Sequence, residues 1–82
     1  MLVIVEHPTR GTLSRFEDED DGRVKARFSL TGARNDPDKT WIFPTVAEAS
    51  RMRAMIPSPT RYDCDLLVFN EHDQSFYKLV KL

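Results

Sequence analysis

The clearest pattern in the chain lies over residues 23–30, where Arg23, Lys25, Arg27 and Ser29 alternate with Val24, Ala26, Phe28 and Leu30. A period of two sends successive side chains to opposite faces of a strand. This segment is therefore predicted to bury Val24, Ala26, Phe28 and Leu30 while its bases meet water, as in an antiparallel sheet covered on one side. Residues 2–6 are almost wholly apolar and read as a buried strand, ended by His7-Pro8-Thr9-Arg10-Gly11. Residues 12–16 form a second, shorter strand. A polar loop over 31–39 follows, longer than most connections and so a candidate interaction loop.

Residues 40–43 are short and extended, and Phe43 avoids helical geometry because it precedes Pro44. Thr45-Val46-Ala47-Glu48 then matches a capping box. It predicts a helix over 46–55 that stops before Pro57. Val46, Ala49, Met52 and Ile56 share one stripe at helical spacing, with Glu48 and Arg51 opposite. Arg53 falls at the stripe's edge, where it snorkels or pairs with a carboxylate. After an extended connector over 57–60, residues 62–70 and 75–82 are predicted strands around a turn at 71–74.

Together these elements predict one α+β domain spanning residues 1–82. Its sheet is mostly antiparallel: a meander of about three strands, a short fourth strand, and a C-terminal hairpin. A single helix packs on one face. The C-terminal hairpin is apolar on both sides, with Leu66 and Val68 opposing Leu67 and Phe69, and Phe76 and Val80 opposing Tyr77 and Leu79. Its second side is covered either by the long loop or Trp41, or by a partner. A homodimer through Leu67, Phe69, Tyr77 and Leu79 is the partner version, since large apolar patches mark contacts.

Composition narrows the field from there. The apolar share of 40% and charged share of 30% are those of a globular protein. Net charge is −1, so the molecule as a whole exerts no pull on nucleic acid or an anionic membrane. Cys64 is the single cysteine, which excludes an internal disulfide and a thiol-based zinc site. A small buried thiol fits a reducing compartment. The apolar start of the chain is too short for a signal peptide, and no stretch approaches a membrane span. A cytoplasmic protein is the expectation.

Charge is concentrated at Glu17-Asp18-Glu19-Asp20-Asp21, closed by Gly22. Asp-Gly favours a type I′ hairpin turn. Pairing about it places Asp20 and Asp18 opposite Arg23 and Lys25. Shifted by one, it places Asp21, Glu19 and Glu17 opposite Arg23, Lys25 and Arg27. Each exposed cross-strand pair contributes roughly 0.2–1 kcal/mol. Both registers set acids against Val24 and Ala26, so regular pairing is expected to fail near Phe16 and leave a mobile tip. One reading is a solvated end that keeps an edge soluble. The functional reading is an acidic prong, Glu17, Asp18, Glu19, Asp20 and Asp21, that imitates a row of phosphates and engages a basic surface on a nucleic-acid-handling protein. Arg34 and Trp41 of the neighbouring loop are further partner-binding candidates. The alternative is a nucleic-acid face made of Arg15, Arg23, Lys25 and Arg27, with Phe16 or Trp41 as a stacking surface. The adjacent acids cancel much of its field.

Chemistry-bearing groupings are weak elsewhere. Asp63-Cys64-Asp65 places two carboxylates on one face of the predicted strand, roughly 6.5–7 Å apart. Asp36-Pro37-Asp38 repeats the spacing, and Glu71-His72-Asp73 has ligand-type side chains that adjacent positions rarely converge on one ion. A Cys64–His nucleophile is opposed by Asp63 and Asp65, which raise a thiol pKa. There is no Gly-rich phosphate loop, zinc-type histidine spacing or nucleophile elbow. The sequence thus points to a non-enzymatic protein-interaction module, an inhibitor or adaptor, with no cofactor and no metal. A nucleic-acid-binding module is second, and a metal-dependent enzyme using Asp63 and Asp65 third. In size and charge texture the chain resembles, in a general way, accessory proteins of phages and mobile elements, though no motif ties it to a family.

Overall fold

The run Val3-Ile4-Val5 is buried on both sides because it forms the middle of the sheet. In the computed structural model, which describes residues 2–30 and 34–79, β1 (Val3–His7) has a partner on each edge. β2 (Gly11–Asp18) and β3 (Val24–Ser29) continue outward on one side; β4 (Asp65–Asn70) and β5 (Ser75–Lys78) lie on the other. The order is β3-β2-β1-β4-β5, and every pairing is antiparallel. The molecule is a small α+β fold, as the hydrophobic pattern predicts.

Helix α1 (Val46–Met55) has the predicted bounds. Thr45 is extended, and its Oγ1 accepts from the Glu48 backbone N–H at 3.2 Å, satisfying one otherwise unpaired donor. Ala49 and, just past the helix, Ile56 are fully buried, with Val46 and Met52 packed beside them. This stripe lies on β1 and β4. The main core therefore joins Val3, Val5, Leu13, Phe43, Ala49, Ile56 and Cys64. Val3, Val5, Leu13 and Ile56, all fully buried, each contribute about 1.5–3 kcal/mol.

Five local expectations are corrected. The strand expected over 62–70 begins only at Asp65; residues 60–63 form a short helix, α2 (Thr60–Asp63), after a cis Ser58–Pro59 peptide. The alternation of Tyr62-Asp63-Cys64-Asp65 mimics a strand, but Cys64 closes that turn by donating its N–H to the Arg61 carbonyl at 3.2 Å. The expected short fourth strand is a single bridge, Phe43 with Val3, plus Trp41 N–H donating to the Leu13 carbonyl at 2.9 Å. Of the two expectations for Arg53, the carboxylate pair does not occur among the described residues; its Nε donates instead to the Cys64 carbonyl at 2.8 Å. Leu30 is 74% exposed, because β3 ends at Ser29, its last pairing with β2. The last strand is described only to Lys78, and residues 80–82 lie outside the described residues, as do 31–33 of the polar loop.

The fifth correction is the hairpin turn. Glu19 N–H donates to Arg23 O at 2.7 Å, and Gly22 N–H to Glu19 O at 3.0 Å. Gly22 takes φ +82° while Asp21 does not have a positive φ. This is the three-residue loop Asp20-Asp21-Gly22 with glycine in the left-handed position, not a type I′ turn. Register follows from it: Glu17 opposes Lys25, Asp18 opposes Val24, and Arg15 opposes Arg27. Neither expected register occurs. Pairing persists past Phe16 to Asp18, and the irregularity sits lower, as a bulge between Leu13 and Arg15.

Arg34 and Thr40, from the loop before Trp41, lie on the second face of the sheet. Arg34 donates from Nε and Nη2 to the two Glu6 oxygens, each at 2.8 Å, and its guanidinium lies 5.8 Å over the Phe76 ring. The Glu6 carboxylate holds the Arg34 pKa above its ordinary value, although burial opposes the shift. Thr40 and Thr12, both buried, share a hydroxyl–hydroxyl hydrogen bond of 2.7 Å. Trp41 turns the other way, stacking on Phe43 at 4.8 Å and meeting Phe16 edge-on at 5.9 Å.

At the opposite end of β1, His7 is buried, and its Nδ1 accepts the backbone N–H groups of Thr9 and Arg10, each at 3.2 Å. The ring therefore carries its proton on Nε2 when it builds this turn. Asp63 lies 3.9 Å from that nitrogen.

Candidate functional site: the acidic hairpin

Beyond Leu13, β2 pairs among the described residues only with β3, so the outer hairpin is a two-stranded ribbon. Such ribbons are marginal alone. This one is steadied from within: Phe16 and Ala26 pack toward the core, with Phe16 against Trp41. The opposite side carries Arg15, Glu17, Lys25 and Arg27.

Glu17 is the centre of that side. Its Oε1 accepts from Arg15 Nε and Nη2 at 2.9 and 2.7 Å, and its Oε2 from Arg27 Nε at 2.8 Å. Arg15 and Arg27 are directly opposed like charges, an arrangement that repels until a carboxylate joins them. The hydrogen bonds from Arg27 and then Arg15 hold the Glu17 carboxyl below the usual glutamate range.

At the turn, Asp21 accepts the Arg23 backbone N–H at 3.0 Å and lies 3.2 Å from the Arg23 Nε. Asp18, Glu19 and Asp20 are exposed, and among the described residues no ion pair engages them. The five-acid run thus divides into two structural members, Glu17 and Asp21, and three outward-facing ones. Beside the turn, Glu19, Asp20, Asp21, Arg23, Val24 and Lys25 line an open depression with Pro57.

The remaining candidates are scattered. Arg34 and Trp41 lie on opposite faces of the sheet, each held by internal contacts. Leu67 and Phe69 share a face with Phe76, whereas Tyr77, opposite Val68, and Leu79 lie on the helix side. The four do not form one patch, and Leu67 is only 7% exposed. Asp63 ends α2 while Asp65 begins β4 and sits 3.4 Å from Lys78, so the two carboxylates are not neighbours on a strand. Asp36 accepts the Asp38 N–H at 2.9 Å and serves its own turn. Cys64 is buried, its thiol donates to the Thr60 carbonyl at 3.4 Å, and burial pushes its pKa up to about 11. No cluster of three or more His, Cys, Asp or Glu side chains suited to a metal ion occurs among the described residues.

One feature has no single sequence signature. A groove of about 280 Å³ runs between α1 and the β4–β5 hairpin, lined by Val46, Ser50, Arg53, Leu66, Lys78 and Leu79 together with Cys64 and Asp65. Its residues are spread over more than thirty positions. Only the placing of Arg53 at the stripe's edge hints at it.

No protein-family model, curated protein or solved structure matches the chain. Its function must be read from these surfaces.

Proposed function

We propose that this chain is a protein-binding module, an inhibitor or adaptor, that presents Asp18, Glu19 and Asp20 to a basic surface on a nucleic-acid-handling partner. The observation that carries the reading is the division of the acidic run. Glu17 and Asp21 are taken up by arginines of the hairpin, while the three acids between them face solvent on a paired ribbon. A run serving only solubility has no need of a fixed support. Carboxylates held in place at a turn lose less entropy on docking than the same residues on a free tail. Their field steers association with a basic partner and weakens with salt.

The nucleic-acid alternative has less behind it. Arg15 and Arg27 both bind Glu17, and Arg23 lies against Asp21, which leaves Lys25 as the one base of that face outside an ion pair among the described residues. No helix among the described residues is long and apolar enough to cross a membrane.

The test is a tagged pull-down from nuclease-treated lysate of the source organism, using wild type and the triple variant Asp18→Asn, Glu19→Gln, Asp20→Asn. A stoichiometric protein bound by wild type and lost with the variant, at unchanged urea midpoint, supports the reading. Equal recovery by both, or recovery that vanishes with nuclease, overturns it.

A further inference from the structure

The second surface of interest is the free edge of β5 with the groove beside it. Leu79 N–H donates to the Leu66 carbonyl at 2.8 Å, which marks that pair as hydrogen-bonded. Hydrogen-bonded and non-hydrogen-bonded pairs alternate in an antiparallel ladder. Val68–Tyr77 and Asn70–Ser75 are then bonded pairs, and Phe76 and Lys78 turn their backbone N–H and C=O groups away from β4. β5 is the terminal strand, so these groups form an unfilled edge of the described sheet. A lysine side chain commonly guards such an edge. Here Lys78 is drawn to Asp65, 3.4 Å away.

The helix side of this edge is apolar and shaped. Tyr77 and Leu79 are 51% and 43% exposed, and the groove between Val46, Leu66 and Leu79 opens directly beside them. Its charge is unbalanced. Asp65 is engaged by Lys78, while Arg53 has no carboxylate among the described ion pairs and offers only its Nε to the Cys64 carbonyl. A guanidinium in a groove calls for a carboxylate, which it binds with two parallel donors.

We propose that an extended peptide segment of a partner protein adds to β5 as a sixth strand, seating an apolar side chain between Val46, Leu66 and Leu79 and a carboxylate on Arg53. Backbone pairing supplies the affinity and the groove the selectivity, as in other strand-addition complexes. The surface is separate from the acidic hairpin, which lies at the far end of the sheet order, beyond β1.

The probe is the fluorescein-labelled hexapeptide acetyl-Val-Thr-Glu-Thr-Val-Thr-amide, titrated by anisotropy, with amide NMR on the isotope-labelled chain. Saturable binding is expected below about 1 mM, with the largest shifts and new exchange protection at the Phe76 and Lys78 amides. N-methylation of alternate peptide amides should weaken binding about tenfold or more in one of the two registers and far less in the other. Replacing the peptide's Glu by Lys, or Ser50→Glu on the exposed side of α1, should each weaken it about three- to tenfold. The triple hairpin variant should bind the peptide as wild type does, so failure here is distinct from failure of the hairpin reading. Absence of binding overturns the proposal, as does equal tolerance of both methylation registers. Concentration-dependent shifts of Phe76 and Lys78 without peptide also overturn it, by assigning the edge to a second copy of the chain.

Discussion

Gly11 and Gly22 both take positive φ, at +94° and +82°, yet they stand in different surroundings. A Cβ at Gly22 meets nothing within 4 Å. A Cβ at Gly11 would run into the Ser29 carbonyl oxygen, 2.7 Å from its carbon and 3.0 Å from the Leu30 Cα, all of it backbone. Gly22→Ala therefore isolates the conformational cost of a left-handed alanine, about 1–2 kcal/mol. Gly11→Ala adds displacement of β3, in the range of about 1–3 kcal/mol for forced overpacking. Its full cost is about 2–5 kcal/mol, against a total stability of about 4–12 kcal/mol for a domain of this size. With a urea slope near 1 kcal/mol/M, Gly11→Ala should lower the midpoint by about 2 M or more, or leave the chain unfolded. Gly22→Ala should lower it by about 1–2 M. Urea titration followed by far-UV circular dichroism measures both. Equal shifts for the two variants would refute the packing argument and leave only the backbone term.

Glu17→Gln tests the carboxylate between Arg15 and Arg27. Because the folded carboxyl titrates below the ordinary glutamate value, its contribution is complete above about pH 4.3 and disappears as pH falls through the folded value. Urea midpoints of wild type and variant should differ at neutral pH and converge in acid; a gap that widens on acidification contradicts the assignment. Cys64, raised to about 11 by burial, should react with a disulfide reagent at pH 8 only as fast as the protein opens, and at the rate of free cysteine in denaturant. Fast labelling of the native chain would place the thiol at the surface.

Much of this fold was legible because local and global signals agreed. Thr45, Glu48 and Pro57 bracket α1, and the stripe through Ala49 and Ile56 points into the core. The period-two alternation over β3 marks its inner face correctly at Ala26 and Phe28, which pack against the core. Legibility failed where one residue pattern serves two geometries. Asp21-Gly22 suits a type I′ turn and also the last two positions of a three-residue loop, and only the pairing of Glu19 with Arg23 selects between them. Tyr62-Asp63-Cys64-Asp65 alternates like a strand, yet a helical turn precedes β4.

The candidate site was half visible. The acidic run announces itself, but its division into structural and outward-facing members depends on which arginines lie across the ladder. The groove at β5 was hidden because Val46, Arg53, Leu66 and Leu79 meet only through the packing of α1 against the C-terminal hairpin.

Trp41 sits between Phe16 of the hairpin ribbon and Phe43 at the centre of the molecule, and the chain has no other tryptophan. The protein thus contains its own optical gauge. Indole emission reads whether the acidic ribbon is seated on the body of the fold, without any label and in the same cuvette as a binding partner that lacks tryptophan.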